Sequence, residues 1–310
     1  MTHLDAVCIG ETMVALVPDD ALPVSGDSRM ALRVAGAESN VATSLARLGH
    51  RARWVSVIGA DPFGAIITRE LESAGVDVNT VTVSADAPTG ILVKDTNGES
   101  TRVHYYRKGS AASRMTAASL AGAGPARLVH ISGITPALSD GCRELTRAVV
   151  DQRMLTDAIV SFDVNYRPAL WSGSDEAATV LADLARRADI VFVGRDEAEV
   201  LWGTAIAEEV RELLPEPRTL VVKDAAVEAV SFENGDVTRV PSQRVQVVEP
   251  VGAGDAFAAG WLSALLDERT PRERLQLGHL LASRTVQIVG DCAEVPTADE
   301  VQAFLSEDSP

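Results

Sequence analysis

The chain has 310 residues, of which 46% are hydrophobic, and this size suffices for one large α/β domain or a domain with a smaller appendage. Its formal net charge of −16 argues against nucleic acid or an anionic membrane as a partner, and no stretch approaches the roughly 20 apolar residues of a membrane span. Cys8, Cys142 and Cys292 are scattered, and neither they nor the five histidines show metal-ligand spacing, which favours a reducing cytoplasm and no structural metal site.

Apolar and amphipathic segments alternate at the start of the chain. Residues 6–10 and 54–58 predict strands, because each is a short apolar run bounded by polar or turn residues. Residues 40–48 and 64–74 predict helices, because their apolar side chains recur on one helical face. Residues 18–35 contain two prolines and mixed polarity, which is typical of loops and an edge segment.

Residues 76–106 interrupt this alternation. Short strands are predicted at 81–83, 90–94 and 101–106, around the turn Asn97-Gly98. Such an insert predicts a small β-sheet that stands off the main body.

The alternation resumes in the second half of the chain. Compact apolar strands are predicted at 128–131, 159–162, 189–193 and 220–222. Helix-like stretches separate them, which is the pattern of a mostly parallel sheet covered on both faces. The last two helices are predicted to begin at capping boxes, at 270–273 and 297–300.

A glycine-rich turn, Val251-Gly-Ala-Gly-Asp-Ala-Phe-Ala258, precedes an apolar segment that predicts a helix. Glycine freedom and the positive end of a helix let backbone N–H groups hold an anion such as phosphate. A carboxylate at this place would repel a bound anion. The presence of Asp255 is explained if it acts as a general base, which takes a proton from the hydroxyl that attacks the phosphoryl group. The alternative is an N-cap aspartate.

The glycine turn does not match two common nucleotide-binding motifs. Phe257 stands where a dinucleotide-binding fingerprint has its third glycine, and the sequence contains no Gly-Lys-Ser/Thr triplet of a Walker-type phosphate loop. Any bound nucleotide is therefore expected in another fold.

Polar residues follow two of the predicted strands, at the sheet edge where parallel sheets bind ligands. Asp163, Asn165 and Arg167 alternate, so an extended backbone aims all three at one side. The alternative is hydrogen bonding within a loop. Glu197 follows the next strand in the segment Gly194-Arg-Asp-Glu197, where the alternative is simple capping of a helix.

Two segments resemble the signatures of the ribokinase-like (PfkB-type) carbohydrate kinase family. Residues 36–49, Gly-Ala-Glu-Ser-Asn-Val-Ala-Thr-Ser-Leu-Ala-Arg-Leu-Gly, are similar to the first signature, and residues 251–260 are similar to the second. The resemblance covers nearly the whole chain. It implies one domain over residues 1–310, an α/β three-layer sandwich with a mostly parallel central sheet, and a small β-sheet lid from inserts at about 11–35 and 80–112.

The same resemblance implies ATP-dependent phosphorylation of a sugar hydroxyl, with ATP and Mg²⁺ as cofactors. Asp255 is the implied general base, and the amides of Gly252, Ala253 and Gly254 are the implied anion hole. The implied substrate-binding residues are Gly36, Ala37, Asn40, Tyr105, Arg107, Arg167 and Asp291. The implied nucleotide-binding residues are Asn165, Lys223, Gly252, Gly254 and Ser283. Glu197 is an implied indirect metal residue, and the exposed lid strands predict a homodimer in which two lids cover each other.

The predicted substrate is a sugar acid. Residues 104–113 resemble the lid-to-core segment of 2-keto-3-deoxygluconate kinases within the family. Residues 163–171 resemble them too, but fructokinases and 5-dehydro-2-deoxygluconate kinases share much of that segment and stay alternatives. Tyr105 and Arg107 face the same way on a strand, so the ring packs against a carbon chain while the guanidinium binds a carboxylate. Alternatively, Arg107 and Lys108 are solvated lid charges.

The chain departs from the family pattern at three places. Glu249 replaces the aspartate that opens the second signature, and Gly194 replaces the asparagine of a motif tied to Mg²⁺. Residues 223–229, Lys-Asp-Ala-Ala-Val-Glu-Ala, lack both glycines of a turn that folds over the nucleotide, so any positive-φ position there carries a side chain. We therefore expect weak ATP binding with modest discrimination against GTP, and adenine contacts from Lys223 and the helix around Ser283. A weakened, non-enzymatic sugar-acid-binding protein stays an alternative.

Overall fold

The computed structural model describes residues 3–19, 22–96, 101–155, 157–288, 290 and 293–307. Within them the strands are β1 (Leu4–Ile9), β2 (Met13–Pro18), β3 (Met30–Ala35), β4 (Ala52–Val55), β5 (Val57–Gly59), β6 (Thr82–Ser84), β7 (Ile91–Thr96), β8 (Thr101–Tyr106), β9 (Ala126–Ser132), β10 (Ile159–Asp163), β11 (Ile190–Gly194), β12 (Thr219–Asp224), β13 (Glu228–Glu233) and β14 (Asp236–Pro241). The α-helices are α1 (Ala37–Arg47), α2 (Pro62–Ser73), α3 (Asp140–Val150), α4 (Ser174–Arg187), α5 (Arg195–Trp202), α6 (Ala207–Leu213), α7 (Ala253–Leu266), α8 (Pro271–Thr285) and α9 (Ala298–Glu307).

The main sheet has the strand order β14-β13-β12-β11-β10-β9-β1-β4. Neighbouring strands from β12 to β4 run parallel, whereas β13 and β14 form an antiparallel edge. Every residue of β11 is buried, because helices cover both faces of the sheet. Leu181 of α4 lies in one buried apolar cluster and Trp261 of α7 in another. The mostly parallel α/β architecture expected from the sequence is confirmed.

A second sheet, which we call the small sheet, has the order β3-β2-β7-β8. Its strands come from residues 13–35 and 91–106, inside the two inserts expected for a lid. β3 is an edge strand, in keeping with the edge segment expected within 18–35. The strand expected at 81–83 does not join the small sheet, because β6 pairs with β5 instead. The assignment of residues 1–310 to one domain stays a prediction.

Strands β13 and β14 were not expected from the sequence. Asn234 and Gly235 connect these two strands with φ values of 53° and 89°, the left-handed pair that a tight two-residue hairpin turn requires. The Asn-Gly signal was therefore present in the sequence. Between β12 and β13, Ala225 has a φ of 39°, so the glycine-free segment does hold a side chain in the left-handed region. Glu228 is an ordinary strand residue paired with Pro241.

Two expectations about the chain as a whole meet the structure only in part. Among the described residues, no helix combines the length and the apolar character needed to cross a membrane. Cys8 and Cys142 are buried free thiols, and Cys292 lies outside the described residues. The cytoplasmic location stays a prediction.

We predict that Ala225→Gly raises the free energy of unfolding by about 1 kcal/mol, because glycine removes the cost of a Cβ in the left-handed region. The neighbouring Ala226 has no positive φ, so Ala226→Gly provides the matched control and should lower stability by about 0.5 kcal/mol. Urea unfolding of the three proteins measures both effects. Equal destabilisation by the two substitutions would contradict the assigned strain at Ala225.

Candidate active site

Helix α7 carries the glycine-rich turn at its start. Gly252 precedes the helix with a φ of 82°, a conformation that favours glycine, and Ala253 is the first helical residue. Ten of the fourteen residues of α7 are buried, and Trp261 packs edge-on against Phe192 of β11 with 5.4 Å between ring centroids. Because Gly252 is the N-cap, Asp255 is the third residue of the helix. The N-cap alternative for Asp255 is therefore wrong.

Two side-chain amides hold the Asp255 carboxylate. Asn40 Nδ2 donates to Oδ2 at 2.9 Å, and Asn165 Nδ2 donates to Oδ1 at 3.3 Å. Burial raises the pKa of Asp255 to about 6, although the Asn40 hydrogen bond acts in the opposite direction. At neutral pH this carboxylate is ionised, yet it is more basic than an ordinary aspartate, which suits a general base. Asn40 lies in the first turn of α1, whose N-cap is Gly36.

The amides expected to bind an anion lie around the start of α7. The Ala253 N–H donates to Pro250 O at 3.3 Å, so this amide is engaged within the turn. Gly254 lies close to a cation, because a Cβ added there would be 3.5 Å from Lys223 Nζ. The first N–H groups of a helix lack partners inside the helix. The helix start and the Lys223 ammonium therefore favour an anion at the same place.

The carboxyl end of β10 contributes the polar trio predicted from the sequence. Asp163 Oδ2 lies 2.8 Å from Lys223 Nζ, which comes from the end of β12. The backbone is not extended as expected, because Asn165 has a φ of 39° and donates its N–H to Asp163 Oδ1 at 3.3 Å. Asparagine tolerates this left-handed turn. Despite the turn, Asp163, Asn165 and Arg167 all line the same cavity.

Glu197, in the first turn of α5, is occupied by backbone N–H groups. Its Oε1 accepts from Tyr166 at 2.9 Å and its Oε2 from Gly194 at 2.8 Å. Burial and the neighbouring Asp163 raise the pKa of Glu197. In the part of the chain that the structure describes, no group of three or more His, Cys, Asp and Glu side chains is placed to hold a metal ion. Because one or two carboxylates together with substrate phosphates are the usual ligands of Mg²⁺, the indirect role of Glu197 stays a prediction.

The small sheet supplies another wall of the site. Tyr105 and Arg107 face the same cavity, and Arg107 Cζ lies 5.7 Å from the Tyr105 ring centroid. The Arg107 side chain is only 8% exposed and pairs with the buried Glu11, with Nε 2.7 Å from Oε2. The alternative of a solvated charge at Arg107 is therefore wrong. Lys94 of β7 is likewise buried, with its Nζ 2.6 Å from Glu249 Oε1.

These walls enclose a cavity of about 340 Å³. Four acidic and four basic side chains line it, so its charge is balanced locally although the chain has a net charge of −16. Local cations are what an acidic protein needs to bind an anion. Arg167 is the most loosely paired of the four, because its side chain is 45% exposed and its Nη1 lies 3.9 Å from Glu197 Oε1. The charged lining residues are Glu11, Asp163, Glu197, Asp255, Lys94, Arg107, Arg167 and Lys223.

The cavity brings together most of the residues predicted from the sequence. Those that line it are Gly36, Ala37, Asn40, Tyr105, Arg107, Asn165, Arg167, Glu197, Lys223, Gly252, Gly254 and Asp255. Gly36 also allows α1 to approach Glu11, since a Cβ at this glycine would lie 2.6 Å from Glu11 O. Ser283 does not line the cavity, and its hydroxyl donates to Leu280 O at 2.9 Å within α8. Asp291 lies outside the described residues.

The sequence analysis missed three acidic or basic residues of the site. Glu11 and Lys94 line the cavity as partners of other charged residues. Glu38 is fully buried near Asp255, and its Oε1 accepts a hydrogen bond from Ser132 Oγ at 2.8 Å. Burial raises the pKa of Glu38 to about 7. The sequence did contain a signal for Glu38 and Lys94. Each is a charged residue within a segment of apolar or small residues, a position that indicates a buried charge.

We predict that Asp255→Asn stabilises the protein more at pH 8 than at pH 4.5. The folded pKa of about 6 lies above the ordinary value of 3.8, so the stability that this carboxyl contributes is full below pH 3.8 and is lost as the pH rises through 6. Asparagine has no such loss. Allowing for water that reaches Asp255 through the cavity, the advantage of the variant should grow by about 1–2 kcal/mol between the two pH values. Denaturant unfolding measures it, with the exposed Asp236→Asn as control, and an advantage independent of pH would contradict the raised pKa.

Comparison with known proteins adds evidence from outside the chain. A family model described as pfkB family carbohydrate kinase matches residues 3–298. The 2-dehydro-3-deoxygluconokinase of Bacillus subtilis (strain 168) is 37% identical, over 98% of this chain and 96% of its own. The crystal structure of a PfkB protein from Polaromonas sp. JS666 matches with a TM-score of 0.86 at 35% identity, over 97% of this chain and 99% of its own.

A fructokinase with bound ATP from Xylella fastidiosa also shares the fold, with a TM-score of 0.86 at 25% identity over 99% of each chain. The ribokinase-like fold expected from the two signatures is thereby confirmed. Relatives with different sugar names match over nearly the whole length, so the comparisons establish the class of enzyme more firmly than its sugar. The chain belongs to the pfkB family of carbohydrate kinases, and it is a sugar kinase.

Proposed function

We propose that this kinase transfers the γ-phosphoryl group of ATP to a hydroxyl of a six-carbon sugar acid, with 2-keto-3-deoxygluconate as the substrate. The observation that carries the proposal is one cavity in which Asp255, at the start of α7, shares the lining with Tyr105 and Arg107. A general base, an anion-binding helix start and a cation beside an aromatic ring are the groups that this reaction needs. The names of the relatives support the same substrate class.

In the proposed reaction, Asp255 takes the proton of the attacking sugar hydroxyl. The side-chain amides of Asn40 and Asn165 each donate to one oxygen of this carboxylate and so fix its orientation. The hydroxyl oxygen then attacks the γ-phosphorus, and the bond to the leaving ADP oxygen breaks. The N–H groups at the start of α7 and the ammonium of Lys223 offset negative charge on the phosphoryl oxygens.

The sugar acid is favoured over a neutral sugar by the arrangement of Arg107. Its contacts with Glu11 use Nε and Nη2, and Arg107 also lines the cavity, so the proposal assigns Nη1 to the substrate carboxylate. Tyr105 beside it offers a ring face for a carbon chain. Fructokinase and 5-dehydro-2-deoxygluconokinase are the second candidates, because relatives with these names match nearly the full chain.

On the nucleotide side, the proposal assigns ATP to the helix start and the end of β12. Lys223 lines the cavity and forms an ion pair with Asp163, and its expected contact with adenine stays a prediction. Ser283 faces its own helix rather than the cavity. The weak, modestly selective binding of ATP over GTP stays a prediction, and calorimetric titration with the two nucleotides measures it.

We predict ADP release with 2-keto-3-deoxygluconate and a much lower kcat/KM with fructose or ribose. In Asp255→Asn, substrate binding should persist while kcat falls about 10²–10⁴-fold, because the hydroxyl keeps its proton as it attacks. A coupled ADP-release assay across sugar acids and neutral sugars measures both. Turnover of neutral sugars alone would overturn the substrate, and near-normal kcat in the variant would overturn the role of Asp255. Binding of 2-keto-3-deoxygluconate by the wild type without turnover would likewise overturn this sugar acid as the substrate.

Arg107 can be tested for contact with the substrate carboxylate. Arg107→Ala alone removes the cationic partner of Glu11, whose side chain is fully buried. A buried charge without such a partner is strongly destabilising. The paired variant Arg107→Met/Glu11→Gln avoids this problem. We predict that it raises KM for the sugar acid by about 10–100-fold, since a charged hydrogen bond is worth about 1.5–3 kcal/mol. KM for the neutral, C1-reduced analogue should change little, and equal losses on both compounds would exclude carboxylate binding by Arg107.

We also propose a homodimer formed through the small sheet. Tyr106 on the edge strand β8 is 63% exposed, and Leu32 on the opposite edge strand β3 is 38% exposed. Exposed apolar side chains on sheet edges are typical of a surface that another chain covers. Light scattering at micromolar concentration should give twice the chain mass of 32.8 kDa. A mass of one chain would contradict the dimer.

A further inference from the structure

A buried ion pair connects the small sheet to the segment that leads into α7. Lys94 Nζ of β7 lies 2.6 Å from Glu249 Oε1, and the two side chains are 5% and 10% exposed. Glu249 stands three residues before Gly252, which is the N-cap of α7. The pair therefore joins two parts of the site that are 155 positions apart along the chain.

Glu249 is held on both sides of this contact. Its Oε2 accepts the N–H of Gly290 at 3.0 Å, and its own N–H donates to Val286 O at 3.1 Å, just after α8. The next residue, Pro250, accepts the Ala253 N–H at 3.3 Å. A short, hydrogen-bonded segment therefore connects the Glu249 carboxylate to the turn before Asp255.

The two ends of the ion pair belong to different halves of the cavity. On the small sheet, Lys94 lines the cavity together with Tyr105 and Arg107, where the sugar acid is proposed to bind. On the other side, Gly252 and Gly254 line it at the helix start, where the phosphoryl group is proposed to bind. A ligand that contacts the small sheet from within the cavity therefore also restrains Lys94, the partner of Glu249.

Stability alone does not account for the pair. Removing two charges from water costs several kcal/mol, and replacing a buried ion pair by side chains of similar volume is often neutral or stabilising. What apolar side chains do not reproduce is the direction and length of a charged hydrogen bond. The pair is therefore suited to positioning the two halves of the cavity relative to each other.

We propose that Lys94 and Glu249 form a positioning pair that couples binding in the sugar half of the cavity to binding in the phosphate half. This inference rests on the proposed function, because it takes a sugar acid and ATP as the two ligands. Coupling between two ligands is reciprocal, so each should tighten the other by the same factor. The factor depends on the cross-link, whereas the affinity for each ligand alone depends on its own contacts.

The test is a calorimetric measurement of coupling. 2-Keto-3-deoxygluconate and a non-hydrolysable β,γ-imido analogue of ATP are each titrated into the protein, alone and with the other ligand saturating. For the wild type we expect each ligand to tighten the other at least about fivefold. In Lys94→Met/Glu249→Gln, which removes both buried charges, the factor should fall below about twofold, whatever the change in the affinity for each ligand alone.

A control variant removes a partly buried ion pair elsewhere in the fold. Arg274 Nη1 lies 3.0 Å from Glu233 Oε2 with side chains 13% and 14% exposed, and this pair joins α8 to β13 rather than the two halves of the cavity. Arg274→Met/Glu233→Gln should therefore keep the wild-type coupling. Loss of coupling in this control as well would show that the effect comes from general loosening, and it would overturn the proposal.

The outcomes separate this inference from the proposed function. Failure of the wild type to bind the two ligands overturns the proposed function. Binding of both without coupling, or with wild-type coupling in a folded Lys94→Met/Glu249→Gln variant, overturns the inference alone. If that variant does not unfold cooperatively, Glu249→Asp decides the question, because it keeps both charges but withdraws the carboxylate by one methylene. Reduced coupling in Glu249→Asp supports the positioning pair, and unchanged coupling overturns it.

Discussion

Burial of α7 is the constraint on which the rest of the site depends. The helix is apolar on nearly every side and packs against β11, so its start has little freedom to move. Gly252 leads into the helix in a left-handed conformation. Asp255 is thereby held near the carboxyl end of β10, where Asn165 donates to it. A carboxylate in this position loses hydration, which raises its pKa and makes it a better base. The amides of Asn40 and Asn165 offset part of that cost and orient the group.

Three cations of the cavity are each tied to an acid from another element. Arg107 pairs with Glu11, Lys94 with Glu249, and Lys223 with Asp163. Such buried pairs contribute little net stability, but they set distances between segments that lie far apart along the chain. In a chain of net charge −16, they also bring positive charge to the one place where anionic ligands are proposed to bind.

Strong local signals predicted much of the fold. The buried strands, the capping boxes at Thr270 and Thr297 and the helix after the glycine turn are all present. The hairpins of β13 and β14 and the pairing of β6 with β5 were missed. A strand pairs with whichever strand edge is free in the folded protein, and that partner can lie far away along the chain. Local sequence patterns therefore do not identify it. The extended backbone expected at Asn165 failed for a similar reason, because Asp163 accepts its N–H in a turn.

The sequence by itself determined the family and the mostly parallel sheet, because the two signature segments and the alternation of strands and helices are patterns of neighbouring residues. It predicted that Asp255 lies at the start of a helix, because a glycine turn precedes an apolar segment there. It also placed Tyr105 and Arg107 on one face of a strand, since strand side chains alternate. Only the tertiary structure decided which residues hold these groups. The contacts of Asp255 with Asn40, of Lys94 with Glu249 and of Arg107 with Glu11 span 215, 155 and 96 positions along the chain. Periodicity and motif spacing describe neighbours along the chain, whereas these partners meet only because the small sheet, α1 and α7 are folded around one cavity.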